Sequence, residues 1–397
     1  MTTVLVTGLA VRSAAGSGLD GLHAATAAGR PLFRPVDRFP GGPAPAATLD
    51  GSPALGPLLA EVVAEARAEA GCPADGPLLL AAHADERTAA LVEAVDPAAR
   101  VYTGACVAAS TAVADAAAAI RTGRLERAVV AAGYLVERDT YALFAAGRAL
   151  ARDGAVRPFS RDRTGILLGD AVVAVVLESA GAAARRGARA LVRVAGWGRA
   201  GDAHHVCRPA PDGAGLARAA RSALARAALS PGQLDYVNAN GAGSALGDRS
   251  ESAALRLVFG EAGPRPPVGA TKSVHGHALE ASALLELAVT IACLRAARDA
   301  AGKAPGVLVD ALPVGGAQGS SPTGASGPDG GARPERPASA PPGGALPATA
   351  GWLGPDPECG IRPHLPTDPA PDRAPAYALT LNAAFGGANT ALVLAAA

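Results

Sequence analysis

The sequence is short of aromatic and charged residues, and its charges nearly cancel. Aromatic residues make up 3% of the 397 residues, so the stacking surfaces typical of RNA-recognition domains are missing. The formal net charge of +1 gives no electrostatic attraction for nucleic acid or for an anionic membrane surface. We therefore expect no nucleic-acid partner.

Long apolar runs are also missing. No stretch of about 18 uninterrupted apolar residues predicts a membrane span. The first residues, MTTVLVTGLAVRSAAGSG, do not combine a basic region with a long apolar run, which argues against a signal peptide. The sequence predicts a cytoplasmic protein with reduced thiols.

The cysteines show no metal-binding pattern. Neither a CxxC motif nor a Cys/His cluster occurs, and the adjacent His204 and His205 have no third ligand nearby in the sequence. The cysteines are odd in number and irregularly spaced: Cys72, Cys106, Cys207, Cys293 and Cys359. We therefore predict no metal site and no cofactor.

What the sequence does contain is an alternation of short, β-branched apolar runs with Ala-rich helical stretches. In the first half, this pattern predicts strands at Thr3–Leu9, Gly76–His83 and Arg127–Tyr134. It predicts helices at Leu55–Gly71 and Ala105–Gly123, each ending at a glycine.

Ala171–Ser179 and Ala190–Ala200 are predicted as adjacent strands. The second half repeats this alternation, and Tyr377–Ala396 is predicted as two strands around a glycine turn. Helices are predicted within Gly215–Ser230, Ser250–Gly260 and Ala281–Arg298. The whole predicts a layered α/β fold with buried sheets. Residues 305–345, dominated by Gly, Pro, Ser and Ala, predict a flexible surface insertion.

Cys106 lies in VYTGACVAAS, where a predicted strand changes into a helix. The unpaired N–H groups and positive dipole end of a helix start lower a thiol pKa, and the amides there can hold an oxyanion. The alternative is a buried, inert cysteine.

A second loop, GATKSVHGHALEASALLELAV, contains Lys272 and His277 just before an apolar helix. At a helix start, His277 is either a proton-transfer group or a capping and packing residue. Glu286 lies inside that apolar helix, where a carboxylate is costly unless it is paired. A Lys272–Glu286 ion pair would account for both charges, whereas the alternative is that Glu286 reaches solvent.

Two further loops are rich in glycine. NANGAGSALGD allows close approach of its backbone to another group and contains Asn240 where a proton-transfer residue would be expected. FGGAN (Phe385–Asn389) is a glycine turn between strands and by itself a weak indication of ligand approach.

In their order along the chain, these motifs resemble the β-ketoacyl synthase family, the condensing enzymes of fatty acid and polyketide synthesis. TGACVAAS resembles its nucleophile motif, and VRPFSRDRTGILLGDAVVAVVLE, DAHHVCRPAPDGAG, YVNANGAGSALGD, TKSVHGHALEASALLE and LNAAFGGAN follow in family order. The resemblance covers nearly the whole chain apart from 305–345.

The resemblance implies a thiolase-like fold, in which two βαβαβ-type halves form a five-layered α/β core. Residues 1–180 would be the half with the nucleophile, and residues 181–397 the half with the histidine and lysine loops. It also implies a homodimer, or a heterodimer with another ketosynthase subunit.

By the same resemblance, Cys106 is the nucleophile that takes an acyl group from acyl carrier protein or coenzyme A. His277 is the second of the family's two histidines, and Lys272 with Glu286 is the supporting ion pair. Four residues of the closing motif fall at substrate-binding positions: Ala383, Phe385, Gly386 and Gly387.

The chain departs from the family pattern at Asn240, which replaces the first histidine. Asparagine donates hydrogen bonds but cannot exchange a proton near neutral pH. The stretch between Leu80 and Val101 is also shorter than in the family. The basic residues usual near Leu55 are missing, and Ala383 replaces a common gating phenylalanine.

Two functions are compatible with this pattern. The first is an acyltransferase acylated on Cys106, with decarboxylative condensation weakened by Asn240. The second is a largely non-catalytic subunit, similar to a chain-length factor, that shapes the acyl tunnel of a partner ketosynthase.

Overall fold

The computed structural model describes residues 2–40, 44–72, 76–261, 263, 266–300 and 345–397. Within these ranges, eleven strands form one mixed sheet with the order β4-β3-β5-β6-β1-β7-β11-β10-β8-β9, and β2 pairs with β1 beside this path. The strands are β1 (Val4–Ser13), β2 (Gly16–Ser17), β3 (Leu78–Ala81), β4 (Arg100–Tyr102), β5 (Arg127–Tyr134), β6 (Ala171–Ser179), β7 (Val192–Gly201), β8 (Tyr236–Asn238), β9 (Val268–Gly269), β10 (Tyr377–Ala383) and β11 (Ala388–Ala396).

Helices connect most of these strands. They are α1 (Leu19–Ala27), α2 (Leu55–Glu69), α3 (Thr88–Val95), α4 (Ala108–Arg121), α5 (Arg138–Ala146), α6 (Ala180–Arg185), α7 (Ala214–Ala227), α8 (Ala245–Phe259), α9 (Lys272–His275) and α10 (Ser282–Ala300). Short 3₁₀ turns lie at Ala105–Val107, Pro231–Gln233 and Leu279–Ala281. No helix among the described residues is both long enough and apolar enough to cross a membrane.

The two halves of the sheet have the same pairing pattern. In the first half, β1 and β6 are antiparallel, β6 and β5 are antiparallel, and β5, β3 and β4 are parallel. In the second half, β7, β11, β10, β8 and β9 follow one another with the same senses. The internal repeat suggested by the sequence alternation is therefore present in the strand topology.

The helices arrange these halves in layers. Helix α2 packs on β1, β5 and β6 from one outer side, and α7 packs on β7, β10 and β11 from the other. Helices α4 and α10 contact each other and strands of both halves, so they form the central layer. This arrangement confirms the predicted thiolase-like fold with two βαβαβ-type halves around buried helices.

The strand predictions at Arg127–Tyr134 and Ala171–Ser179 match β5 and β6 residue for residue. The prediction that Ala171–Ser179 and Ala190–Ala200 are adjacent was wrong, because β1 lies between β6 and β7. Strand β1 pairs along most of its length with β6 and through Val4–Val6 with β7. Strand β1 therefore joins the two halves of the sheet, and no local pattern in the sequence predicts this pairing.

Several helices and strands of the structure were not predicted from the sequence. Helix α3 is only eight residues long, and its apolar residues Leu91, Val92 and Val95 are partly rather than fully buried. So short a segment gives too few positions for a periodicity argument. Strands β4 and β9 are too short to show an alternation. The predicted insertion at 305–345 lies, except for residue 345, outside the described residues.

Candidate active site

Cys106 lies at the start of the central helix α4, but the helix does not begin in a regular way. The preceding Ala105 has a φ of 50°, a left-handed conformation that costs energy for a residue other than glycine. A 3₁₀ turn, Ala105–Val107, then leads into α4. Cys106 is 5% exposed and packs with Val107 and Ala384.

This environment does not favour the thiolate. Burial, with a smaller contribution from the Glu280 carboxylate, raises the pKa of Cys106 to about 12, although the Lys272 ammonium opposes this shift. The backbone at the helix start lowers this pKa, as expected, but the expected net shift toward the thiolate was wrong. Removal of the thiolate from water outweighs the partial charge of the helix end.

His277 is positioned by contacts with the segment that precedes β6. Its backbone N–H donates to the Leu167 carbonyl at 2.7 Å, and the Gly169 N–H donates to the His277 carbonyl at 3.1 Å. The preceding Gly276 has a φ of 73°, and an added Cβ would lie 2.6 Å from the Leu168 carbonyl oxygen. Only glycine fits this close crossing, which makes the loop rigid next to the histidine.

The hydrogen bonds of His277 assign its protonation state. Its Nδ1 accepts the Leu279 N–H at 3.0 Å, so the proton of the neutral ring is on Nε2. The Ser282 Oγ lies 3.3 Å from the same Nδ1. Burial and the nearby Lys272 ammonium lower the pKa of His277 well below 6.5, which keeps the ring neutral. His277 is therefore arranged to donate a hydrogen bond from Nε2.

The predicted Lys272–Glu286 ion pair is confirmed. The Lys272 Nζ donates to Glu286 Oε1, and the two side chains are 1% and 0% exposed. The Asn382 amide donates to the other carboxylate oxygen. Lys272 also donates to the Asn240 carbonyl at 2.8 Å and to Asn240 Oδ1 at 3.2 Å. One ammonium thus connects α10 to the loop that contains Asn240.

Asn240 has its side-chain oxygen occupied. Besides Lys272, the Ala383 N–H donates to Asn240 Oδ1 at 3.3 Å. Because both partners are donors, the oxygen must face them, and the Nδ2 amino group is left as the hydrogen-bond donor of the side chain. Asn240 and His277 line the same cavity of about 310 Å³. The site therefore presents two neutral N–H donors.

The closing motif forms one wall of this cavity. Ala383, Ala384 and Phe385 line it, and Ala384 is also the residue that packs against Cys106. Phe385 is 38% exposed. Gly386 and Gly387 form the turn between β10 and β11, where Gly387 has a φ of 75° and an added Cβ would lie 2.9 Å from the Asp202 Cβ.

Comparison with known proteins places this arrangement in a family. Residues 91–183 match the family model of the β-ketoacyl synthase N-terminal domain, and residues 191–298 match that of the C-terminal domain. Together these matches cover about half of the chain. The chain belongs to the β-ketoacyl synthase family.

Relatives and solved structures agree with this family. Nodulation protein E of Rhizobium leguminosarum bv. trifolii is 42% identical over 200 residues, which cover 50% of this chain and 48% of that protein. The 3-oxoacyl-[acyl-carrier-protein] synthase 2 of Staphylococcus aureus is 38% identical over 147 residues, or 36% of each chain. The matched part of this chain thus spans about half or less of these relatives.

Among solved structures, the ishigamide ketosynthase/chain length factor superposes with a TM-score of 0.76 at 26% identity. The match covers 100% of this chain and 99% of that one. A β-ketoacyl synthase from Burkholderia phymatum superposes with a TM-score of 0.74 at 23% identity over 100% of both chains, which supports the fold.

Two buried carboxylates of this ketosynthase-family site were missed from the sequence. Glu251 accepts the backbone N–H groups of Asn240 at 2.7 Å and Gly241 at 2.8 Å. Asp248 accepts those of Gly243 at 3.1 Å and Phe159 at 2.8 Å. Together they hold the Asn240 loop in place from one face of α8.

Burial raises the pKa of Glu251 to about 7 and that of Asp248 to about 6, although the N–H donors oppose these shifts. Glu251 lies within the predicted helix Ser250–Gly260, but Asp248 fell in the glycine-rich loop before it. In the structure both residues lie in α8 at positions i and i+3, so they share one helix face.

Proposed function

We propose that this chain is a ketosynthase-type acyltransferase of polyketide or fatty-acid-type biosynthesis. It takes an acyl group from an acyl-carrier-protein or coenzyme A thioester onto Cys106, and Asn240 weakens decarboxylative condensation. The observation that carries this proposal is the retention of a cysteine at the start of α4 beside a complete Lys272, Glu286 and His277 framework. A purely structural subunit has no need of this combination.

The expected loss of condensation follows from the hydrogen bonds of Asn240. Decarboxylation of a malonyl thioester puts negative charge on the thioester oxygen, and donors aimed at that oxygen stabilise it. The amide of Asn240 supplies one such donor, but it cannot take up or release a proton. Acyl transfer onto Cys106 does not need a proton from this position, so it should be less affected.

The alternative proposal is a chain-length-factor-like subunit that shapes the tunnel of a partner ketosynthase. Its support is the buried thiol of Cys106, whose raised pKa opposes nucleophilic attack. The ishigamide ketosynthase/chain length factor, which has the same fold over the whole chain, also supports this alternative. Both proposals require distinguishing experiments.

Acylation of the intact chain tests the first proposal. The protein is incubated with acyl-coenzyme A and acyl-carrier-protein thioesters and its mass is measured. One acyl adduct that is lost in Cys106→Ala and kept in Cys207→Ala would support acyl capture. Cys207 is a suitable control because its thiol is exposed. No adduct with any donor would favour the structural subunit.

We further propose that the chain works as a dimer, either with itself or with another ketosynthase subunit. Strand β4 is at the end of the sheet path, and within the described residues it pairs with β3 alone. An edge strand with free N–H and C=O groups is a common place for pairing with a second chain. Light scattering of the purified chain, with and without a co-expressed ketosynthase, would identify the assembly.

A further inference from the structure

The two central helices begin with turns of the same shape. The turn Ala105–Val107 leads into α4, and the turn Leu279–Ala281 leads into α10. Each starts with a non-glycine residue of positive φ, 50° at Ala105 and 42° at Leu279. The two turns pack against each other. At the second position of each turn, Cys106 in one half therefore corresponds to Glu280 in the other.

Glu280 is a buried acid with an unusual partner. Its side chain is 5% exposed, and its Oε1 lies 2.8 Å from Nδ1 of His83, whose side chain is 57% exposed. The two residues line a cavity of about 250 Å³. Arg87 pairs with both Asp85 and Glu137, so these three groups together carry a net charge of −1 and leave no cation for Glu280.

Acyl capture needs a proton acceptor for the Cys106 thiol, and neither the framework residues nor the α8 carboxylates supply a free one. Glu251 and Asp248 each accept two backbone N–H groups. Asn240 is an amide, and Lys272 donates to three acceptors. The Nδ1 of His277 already accepts the Leu279 N–H, and its Nε2 holds the ring proton. The Glu286 carboxylate is engaged by Lys272 and Asn382.

Resting on the proposed acyl capture, we propose that the Glu280 carboxylate, hydrogen-bonded to His83, accepts the proton of the Cys106 thiol, directly or through one water. The S–H bond of Cys106 breaks and an O–H bond forms on Glu280. The sulfur bonds to the acyl carbon, the donor thioester C–S bond breaks, and the leaving thiolate takes the proton back. His83 connects the carboxylate to solvent, so a proton that is not returned can leave.

The charges near Glu280 are compatible with this role. His83 approaches from the end of β3, Arg87 and Asp85 from the segment before α3, and Tyr134 and Glu137 from the end of β5. On the inner side, Lys272 and Glu286 act on the same thiol with opposite signs. Transfer of the proton removes the negative charge of Glu280 at the moment when the thiolate forms, which avoids two like charges in a buried site.

Alkylation of Cys106 by iodoacetamide tests the proposal without an acyl donor. Rates are measured by peptide mass spectrometry between about pH 6 and about pH 10 for the wild type and Glu280→Gln. Loss of a general base should slow Cys106 alkylation about 100-fold near neutral pH and make its rate rise more steeply with hydroxide. The exposed Cys207 reports any general change in reactivity and should keep its rate.

Glu137→Gln is the matched control, since Glu137 lines the same cavity but is paired with Arg87. If Glu280→Gln does not fold, His83→Gln, at the exposed end of the pair, should slow Cys106 about tenfold. An unchanged or faster rate in the folded variants would overturn the proposal, and a faster rate would mean that Glu280 only repels the thiolate. A wild-type Cys106 that stays unmodified while Cys207 reacts would overturn it as well.

Because iodoacetamide needs no thioester, this result is independent of acyl capture. A chain that is never acylated but loses Cys106 alkylation in Glu280→Gln would refute the proposed function and retain the proton acceptor. A chain that is acylated but keeps its alkylation rate in the variant would support the proposed function and refute the proton acceptor.

Discussion

The two halves of the molecule contribute to the candidate site in different ways, although their strand topology is the same. The N-terminal half contributes the buried thiol of Cys106, which packs with Val107 and Ala384. The C-terminal half contributes His277, which is held by its own loop, and the set of Asn240, Lys272 and Glu286, which are joined by hydrogen bonds and an ion pair. The same strand topology thus holds a buried cysteine in the N-terminal half and a set of hydrogen-bonded polar side chains in the C-terminal half.

The difference shows where rigidity is needed. Each side chain of the C-terminal framework has at least one partner that holds it in one orientation, and donors that are fixed in this way stabilise developing charge. The thiol has no comparable partner among its packing neighbours, and its reactivity depends on groups supplied from outside its own half.

Removal of Lys272 should have the largest effect and break the C-terminal framework. Lys272→Ala leaves the Glu286 carboxylate buried without its cation, and breaking a buried ion pair in this way costs about 3–5 kcal/mol of unfolding free energy. Urea unfolding measures the loss. The double variant Lys272→Met with Glu286→Leu should recover most of the stability, and a double variant as unstable as the single one would contradict this account.

Glu251→Gln should cause the next largest loss of unfolding free energy, because it removes a hydrogen-bond acceptor of the Asn240 loop. An amide can accept one of the two backbone N–H groups, and the other is left without a partner at a cost of about 1–3 kcal/mol. Urea unfolding with the exposed Glu358→Gln as control measures this. Equal stability of the two variants would show that the loop does not depend on its carboxylate.

The pH dependence of the unfolding free energy tests the contribution of Glu251 in the C-terminal half. The pKa of Glu251 in the folded protein is about 7, above its usual 4.5, so the folded state binds more protons than the unfolded state between these values. Unfolding free energy should therefore decrease as pH rises from about 5 to about 7. Glu251→Gln should flatten this slope in urea titrations at several pH values, whereas an unchanged slope would assign it to other groups.

Asn240→His should restore a proton-exchanging group to the framework. We expect malonyl-thioester decarboxylation to rise about tenfold or more, while acylation of Cys106 changes little. Release of carbon dioxide and intact mass measure the two steps separately, with Asn240→Ala as the control for loss of the amide donor. If decarboxylation does not rise, the short stretch between Leu80 and Val101, and not Asn240, limits the reaction.

Phe385→Ala should have the smallest effect. Phe385 is half-exposed at the cavity wall, so its removal should change the half-saturating acyl-donor concentration by about two- to fivefold and stability by less than about 1 kcal/mol. Leu353→Ala, another exposed apolar residue away from the cavity, is the matched control. A large stability loss in Phe385→Ala would show that this ring supports the fold instead.

Much of the fold could be predicted from the sequence because its strands are short, continuous apolar runs. Strand β6 is buried along its whole length, and the prediction for it was correct to the residue. The Lys272–Glu286 pair was predictable for a similar reason, since a lone acid in an apolar helix has few alternatives to a buried cation. These signals are local.

Other features depend on contacts between residues far apart in the sequence. Glu280 stands 174 positions after Cys106, and only the packing of two turns from different halves brings them together. The role of Glu251 also required the fold, because its two oxygens bind the backbone of a loop ten residues earlier. Neither residue differs in type from an ordinary surface glutamate.

The sequence by itself determined the α/β alternation, the order of the chemical motifs and the presence of Asn240 in place of the family's first histidine. These properties follow from local composition and from the spacing of residues. Only the tertiary structure decided the protonation of His277, the raised pKa of Cys106 and the correspondence between Cys106 and Glu280. Those properties depend on burial and on which groups face one another, and both are set when the two halves close around α4 and α10.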